Sequence, residues 1–179
     1  MSVPETSLTL LLRDESATAA LAAALAPRMG PGVRLYLSGE LGSGKTAFTR
    51  ALLRALGHAG RVRSPSFTLA EPYHLSSFAL YHFDFYRFSD SNEWREAGFE
   101  EWLGDDTAAV VEWPEMAAGS LPAADLRLAL AATDDPQQRQ VRLDAGTERG
   151  QAWLSALAGR VTRGELDGIC CSAPSAPRC

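Results

Sequence analysis

Residues 38–46 read SGELGSGKT, and the fold turns on how these nine residues are understood. Gly39, Gly44, Lys45 and Thr46 satisfy the spacing G-x-x-x-x-G-K-[S/T], a phosphate-cradling pattern when it follows a strand and opens a helix. Upstream, Val33, Leu35 and Leu37 with Tyr36 between them form a compact buried-strand pattern that stops at Ser38 and Gly39. Downstream, TAFTRALLRALG places Phe48, Ala51, Leu52, Ala55 and Leu56 on one helical face, and Gly57 supplies a C-terminal stop. The local order is therefore strand, glycine loop, helix. Glycines let such a loop curl so that backbone N–H groups point at phosphate oxygens, and the helix adds its positive end. Lys45 would reach the β- and γ-phosphates, and Thr46 would offer a hydroxyl to Mg²⁺. Lys45 is also the only lysine of the chain, whose other cationic side chains are all arginines. A rigid, forked guanidinium does not fit a cradle shaped around one ammonium, which accounts for a lysine surviving at this position.

The rest of the chain supplies the elements around that loop. An apolar run at residues 8–12 predicts an edge strand. Residues 16–28 carry helical spacing, with Asp14 or Ser16 as the cap. Aromatic-rich runs at 67–73 and 79–85, separated by HLSSF, predict a hairpin or two neighbouring strands. NEWREAGFEEWL at 92–103 fits a helix, residues 108–113 a buried strand ended by Pro114, and residues 126–131 and 140–143 two short strands. A last helix, ERGQAWLSALAGR, buries Trp153, Leu154 and Leu157. Strands outnumber helices without a clean βαβ alternation. The expected fold is thus α/β, a three-layer sandwich of the P-loop NTPase kind built on a mixed β-sheet.

Length and composition fit one domain, placed at residues 1–163, followed by a tail at 164–179 expected to be disordered. Cys170, Cys171 and Cys179 match no metal spacing and are expected to be reduced thiols. The start of the chain lacks the basic, then apolar, pattern of a signal peptide, and no uncharged stretch is long enough to span a membrane, so the expected location is cytoplasmic. A net charge of -5 argues against extensive nucleic-acid binding by this chain alone.

A P-loop nucleotidase also needs a carboxylate at a neighbouring strand end to hold Mg²⁺ or its water. Asp84, closing ALYHFD, and Glu112, closing AAVVE, are the two candidates. Ser64, Ser66 and Thr68 of VRSPSFTL are candidate hydroxyl sensors for the γ-phosphate.

Four segments in this order and spacing, GELGSGKT, SPSFTLAEPY, YHFDFYRF and VVEWPE, closely resemble the bacterial TsaE family, formerly YjeE, over roughly residues 5–145. That resemblance implies a Mg-dependent P-loop ATPase required for threonylcarbamoyladenosine formation next to the anticodon of tRNA. It implies two protein partners, TsaB and TsaD, with TsaD transferring the threonylcarbamoyl group and ATP hydrolysis resetting the complex. Carried over by position, it implies ATP phosphate contacts from Leu41, Gly42, Ser43, Gly44, Lys45 and Thr46, with Mg²⁺ held by Thr46 and Glu112. Asp84 would stand near the attacking water or the metal's outer shell, and residues 64–68 would form a switch-like loop with Ser66 where the family usually has threonine. Glu15 would lie near the nucleotide and Trp113 would line the site. The tRNA would be held by the partners, and helix 92–102, through Trp94, Trp102 and its glutamates, is a candidate partner contact.

Two other functions fit a P-loop chain of this size. A small-molecule kinase needs an acceptor pocket and usually an arginine-bearing lid; Arg87 and Arg95 are the available side chains. A GTPase switch commonly selects guanine with N-K-x-D, which the single, already committed lysine forbids, and no D-x-x-G occurs.

Overall fold

The computed structural model describes residues 7–172. In chain order the elements are β1 (Ser7–Leu12), α1 (Glu15–Leu25), β2 (Arg34–Ser38), α2 (Lys45–Ala55), β3 (Ala70–His74), β4 (Ala79–Asp84), α3 (Glu93–Glu96), β5 (Ala108–Glu112), β6 (Leu126–Ala132), β7 (Arg139–Ala145), α4 (Glu148–Thr162) and β8 (Ile169–Cys171). The strands form one eight-stranded sheet in the order β3-β4-β5-β2-β6-β7-β1-β8. The pairs β4–β5, β5–β2 and β2–β6 are parallel, and the pairs at both flanks are antiparallel. The mixed sheet expected from the sequence is thus a parallel centre with antiparallel wings.

Burial follows that plan. β5, AAVVE, is buried at every position, as a central parallel strand covered on both faces must be. One face carries α1, α2 and α4, whose Leu21, Leu25, Phe48, Leu52, Trp153 and Leu157 pack on Leu35, Leu37, Val110 and Leu128. Asp14 caps α1 by accepting from the Ala17 N–H, so of the two candidate caps Asp14 serves. The other face is covered over β3, β4, β5 and β2 by residues 85–121, an aromatic layer of Phe85, Phe88, Trp94 and Phe99. Beyond β2 the same face is open, with Arg127, Ala129 and Ala131 of β6 exposed in strict alternation with buried leucines.

Several expectations need correction. β1 is not an edge strand: it lies between β7 and β8. The single helix expected over 92–103 is broken into α3 and a 3-10 turn at 101–103, because Gly98 takes φ +79° between them. That break turns both tryptophans inward, Trp94 donating its indole N–H to Ser120 and Trp102 stacking on Tyr81 at 4.9 Å. Trp94 belongs to the core and is not available as a partner contact, whereas Trp102 is half-buried against that core and Glu96, Glu100 and Glu101 remain exposed. Finally, the tail expected from residue 164 includes β8, whose Cys170 and Cys171 pair with Leu11 and Leu10 of β1. Cys170 is disulfide-bonded, against the expectation of reduced thiols, and Cys171 is free. Cys179 and residues 173–179 lie outside the described residues.

Buried Asp125 ties the two halves of the sheet to α4. Its carboxylate accepts the Arg34 N–H at 3.0 Å at the start of β2 and the Thr147 hydroxyl at 2.6 Å at the cap of α4. Replacing Asp125 by Ala strands both donors and should lower the unfolding free energy by about 1–3 kcal/mol in urea melts, with Asn restoring part of the loss.

Candidate nucleotide and cation site

The carboxyl ends of β2, β4 and β5 come together in register, Leu37 and Asp84 both paired with Glu112, and the crevice beyond such strand ends is where α/β sheets bind ligands. The chain leaves β2 at Ser38, curls through residues 39–44 and enters α2 at Lys45. The curl depends on glycine. Gly39 stands at φ +137°, and a Cβ there would lie 2.2 Å from the Leu130 carbonyl oxygen on β6 and 2.7 Å from Ser43 Oγ. Gly44 takes φ +106° and, as the residue entering α2, contributes no capping side chain. The first N–H groups of α2 therefore have neither an intrahelical acceptor nor a cap, and the helix start is disposed toward an anion.

Lys45 is 4% exposed. Its ammonium donates to the Gly39 and Glu40 carbonyls at 2.6 and 2.8 Å and to Ser43 Oγ at 3.4 Å, so the loop is wrapped around the charge. The ring of Trp113 closes the other side, its centroid 4.2 Å from Nζ. Burial holds the Lys45 pKa below its ordinary value, and Glu112, Glu115, Asp84 and Glu40 act against that shift. Trp113 reaches this position from a left-handed backbone, φ 59° and ψ 47°, which a bulky residue adopts only when its surroundings hold it there. Part of that hold comes from Tyr86, whose ring lies 4.9 Å from the indole.

Thr46 and Glu112 meet directly: Thr46 Oγ1 is 3.0 Å from Oε1 and 3.1 Å from Oε2 of Glu112. Glu112 Oε1 is also 2.7 Å from His82 Nε2. Asp84 accepts from the Ser64 hydroxyl at 2.8 Å and from the Tyr86 N–H at 3.0 Å, which ties residues 61–69 to the end of β4.

A cleft of about 280 Å³ runs over these groups. Its walls include Leu41, Gly42, Gly44, Lys45, Thr46, Ser66, Asp84, Glu112 and Trp113, and thus most of the residues singled out in the sequence. Ser43 is buried within the loop itself. Glu15 does not join them: it is exposed in the first turn of α1, outside the cleft walls. Thr68 is also outside, bonded to Glu71. A larger hollow of about 550 Å³ between Tyr36, Arg127 and residues 114–122 contains no P-loop residue, and the smaller cleft is the one that holds the chemistry.

Three residues of the site escaped sequence reading. Tyr86 lines the cleft and His82 backs Glu112; both alternate with or follow Asp84, so strand periodicity would have found His82. Arg139 gave no local signal. From β7 it donates Nε to the Ser43 carbonyl at 3.1 Å, bracing the P-loop across 96 residues of sequence.

The donor set suits a hard divalent cation, with a hydroxyl and a carboxylate in contact and a second carboxylate in the same cleft. Among the described residues no cluster of three or more His, Cys, Asp or Glu side chains stands ready to hold a metal by itself. A cation here would share its coordination with phosphate oxygens, the usual habit of Mg²⁺. Gly39→Ala tests the loop: the clash and strain should cost about 1–3 kcal/mol of nucleotide affinity by calorimetric titration with ADP, roughly tenfold or more, while the helical signal persists.

Residues 12–141 match the family model for the threonylcarbamoyl adenosine biosynthesis protein TsaE. The tRNA threonylcarbamoyladenosine biosynthesis protein TsaE of Haemophilus influenzae is 38% identical over 126 residues, covering 70% of this chain and 78% of that one. Its counterpart in Bacillus subtilis is 34% identical over 145 residues, covering 81% and 88%. The crystal structure of Bacillus subtilis YdiB superposes with a TM-score of 0.73 at 27% identity, over 86% of this chain and 95% of that one. Sequence and architecture agree, and with a P-loop NTPase-like fold on a mixed sheet the chain belongs to the TsaE family.

Proposed function

We propose that this protein is a Mg²⁺-dependent ATPase serving threonylcarbamoyladenosine formation on tRNA, and that its hydrolysis of ATP resets a complex of TsaB and TsaD. The observation that carries the reading is the meeting of Thr46 with Glu112 beside the buried ammonium of Lys45, at the uncapped start of α2.

In this reading Lys45 and the N–H groups of residues 41–46 hold the phosphates, and Thr46 and Glu112 hold the cation. Bound there, Mg²⁺ would neutralise charge developing on the β- and γ-phosphate oxygens. Asp84, fixed at both oxygens by Ser64 and Tyr86, is the acid placed to orient a water or the cation's hydration shell, and Ser66 faces the same cleft. Phosphoryl transfer asks for positioning and charge stabilisation more than for covalent chemistry, and these groups supply both.

Lys45 is the only cation among the residues lining the cleft. Slow turnover in isolation is the expected consequence, and a partner that supplies an arginine, or orders residues 64–68, would raise it. An arginine given in trans is worth about 10³ to 10⁵ in other P-loop enzymes. The net charge of -5 fits a subunit that docks on protein and leaves the tRNA to its partners. No helix among the described residues is long and apolar enough to cross a membrane, in keeping with work on tRNA in the cytoplasm.

Phosphate release from ATP and GTP, measured alone and with TsaB, TsaD and tRNA, tests this directly. ATP-selective turnover that rises with the partners is expected, with Lys45→Ala inactive and Glu112→Ala down by about 10² or more but still able to bind nucleotide. Phosphate transfer to a metabolite with no response to the partners would replace the proposal with a kinase. Normal Mg²⁺-dependent turnover by Glu112→Ala would shift the cation to Asp84.

A further inference from the structure

We infer that His82 is the positioning residue that fixes the Glu112 carboxylate for the cation, an inference that rests on the reading of Thr46 and Glu112 given above. His82 stands on β4, two residues before Asp84, and its register partner on β5 is Val110. Leu80 and Val110 both belong to the helix-side core, so this histidine occupies a layer otherwise filled by aliphatic side chains. It is fully buried, at 0% exposure. A Leu or Val would fill such a place without desolvating a polar ring, a burial that is costly unless hydrogen bonds offset it. Among the described residues only one ring nitrogen has an offset: Nε2 lies 2.7 Å from Glu112 Oε1, and Nδ1 has no partner there.

That asymmetry assigns the tautomer. With the proton on Nε2, the ring donates to the carboxylate and leaves only a bare lone pair unpaired at Nδ1. With the proton on Nδ1, a buried N–H would lack any acceptor while the Nε2 lone pair pointed at a carboxylate oxygen. The first arrangement is the favourable one, and it makes His82 a donor to Oε1.

The consequence falls on Glu112. A glutamate turns freely about its terminal torsion, and the strand fixes only its backbone. His82 holds Oε1 from behind, within the core, while Thr46 Oγ1 touches both oxygens from the cleft side. The carboxylate plane is set between them, and Oε2, which His82 does not engage, is the oxygen left for the cation. His82 lines no part of the cleft, so it acts through Glu112 and not on phosphate or water. Mg²⁺ tolerates little departure from octahedral geometry, which makes a pre-set carboxylate valuable. Partners that orient ligands in this way typically contribute 10- to 100-fold to metal affinity.

The test uses Mn²⁺ as the probe, titrated by electron paramagnetic resonance into the full chain with saturating ADP, beside ADP affinity measured in EDTA. His82→Phe should weaken Mn²⁺ binding by about 10- to 100-fold while leaving metal-free ADP affinity within about twofold. His82→Gln, whose amide N–H can take the place of Nε2–H, should recover most of the loss. Where His82→Phe does not fold by thermal melt, His82→Asn, too short to reach Glu112, replaces it in the comparison with His82→Gln. Wild-type Mn²⁺ affinity in the donor-less variant would overturn the inference, as would a folded His82→Gln as weak as His82→Phe, or an equal fall in metal-free ADP binding. Glu112→Gln separates the two levels of argument. If it too binds Mn²⁺ normally, the placement of the cation at Glu112 is wrong; if it alone loses Mn²⁺, that placement holds and only the role of His82 fails.

Discussion

A cation buried inside a curl of backbone is the constraint from which the rest of the site follows. With Lys45 nearly sealed from water, its ammonium needs acceptors at short range, and it finds them in the loop that precedes it, in two carbonyls and the Ser43 hydroxyl. The loop must therefore fold back on its own helix. That path brings Gly39 against the Leu130 carbonyl with no space for a side chain, so β6 must lie beside β2, as the parallel pairing provides. The far side of the ammonium is closed by an aromatic ring whose backbone is itself held in an uncommon conformation. Charge, loop, strand order and strain form one chain of dependence.

The sheet divides its duties between its two faces. Residues 80, 82, 84, 110 and 112 point toward α2, so the same alternation that builds the helix-side core also delivers the acids to the P-loop. The reverse face under β4 and β5 is filled by Phe83, Phe85, Phe88 and Phe99, which stiffen the strands without taking part in the chemistry. The acidic site thus rests on a rigid aromatic support, and Asp84 and Glu112 are presented from strand ends and not from a mobile loop.

What the sequence made legible was what is local. The P-loop sits within nine residues between a strand and a helix pattern, and both strand-closing acids were visible as polar ends of apolar runs. The meeting of Thr46 with Glu112 spans 66 residues and follows only once the register of β2 and β5 is known; the family resemblance, not spacing, anticipated it. Residues 92–103 misled because a periodic stripe with two tryptophans reads as a continuous amphipathic helix, while a single glycine in the left-handed region breaks it, with Trp94 in the core and Trp102 half-buried against Tyr81. β8 escaped because three residues carry too little pattern on their own, and β1 supplies the pairing that makes them a strand. Arg139 was invisible for the same reason: its partner is a carbonyl, and a carbonyl has no letter in a sequence.

The position of β1 bears on how such a chain comes to be made. Among the described residues this earliest strand pairs with β7 and β8, elements synthesised more than 120 residues after it, and β2 must wait for both β5 and β6 before it is enclosed. Contacts of such sequence separation close slowly, and domains fold as units once their parts have been synthesised. During translation α1 can cover the apolar face of β1, but both edges of the strand lack their native neighbours. Until β7 and then β8 emerge those edges are open to pairing with other chains, and dependence on chaperones should be concentrated in that interval.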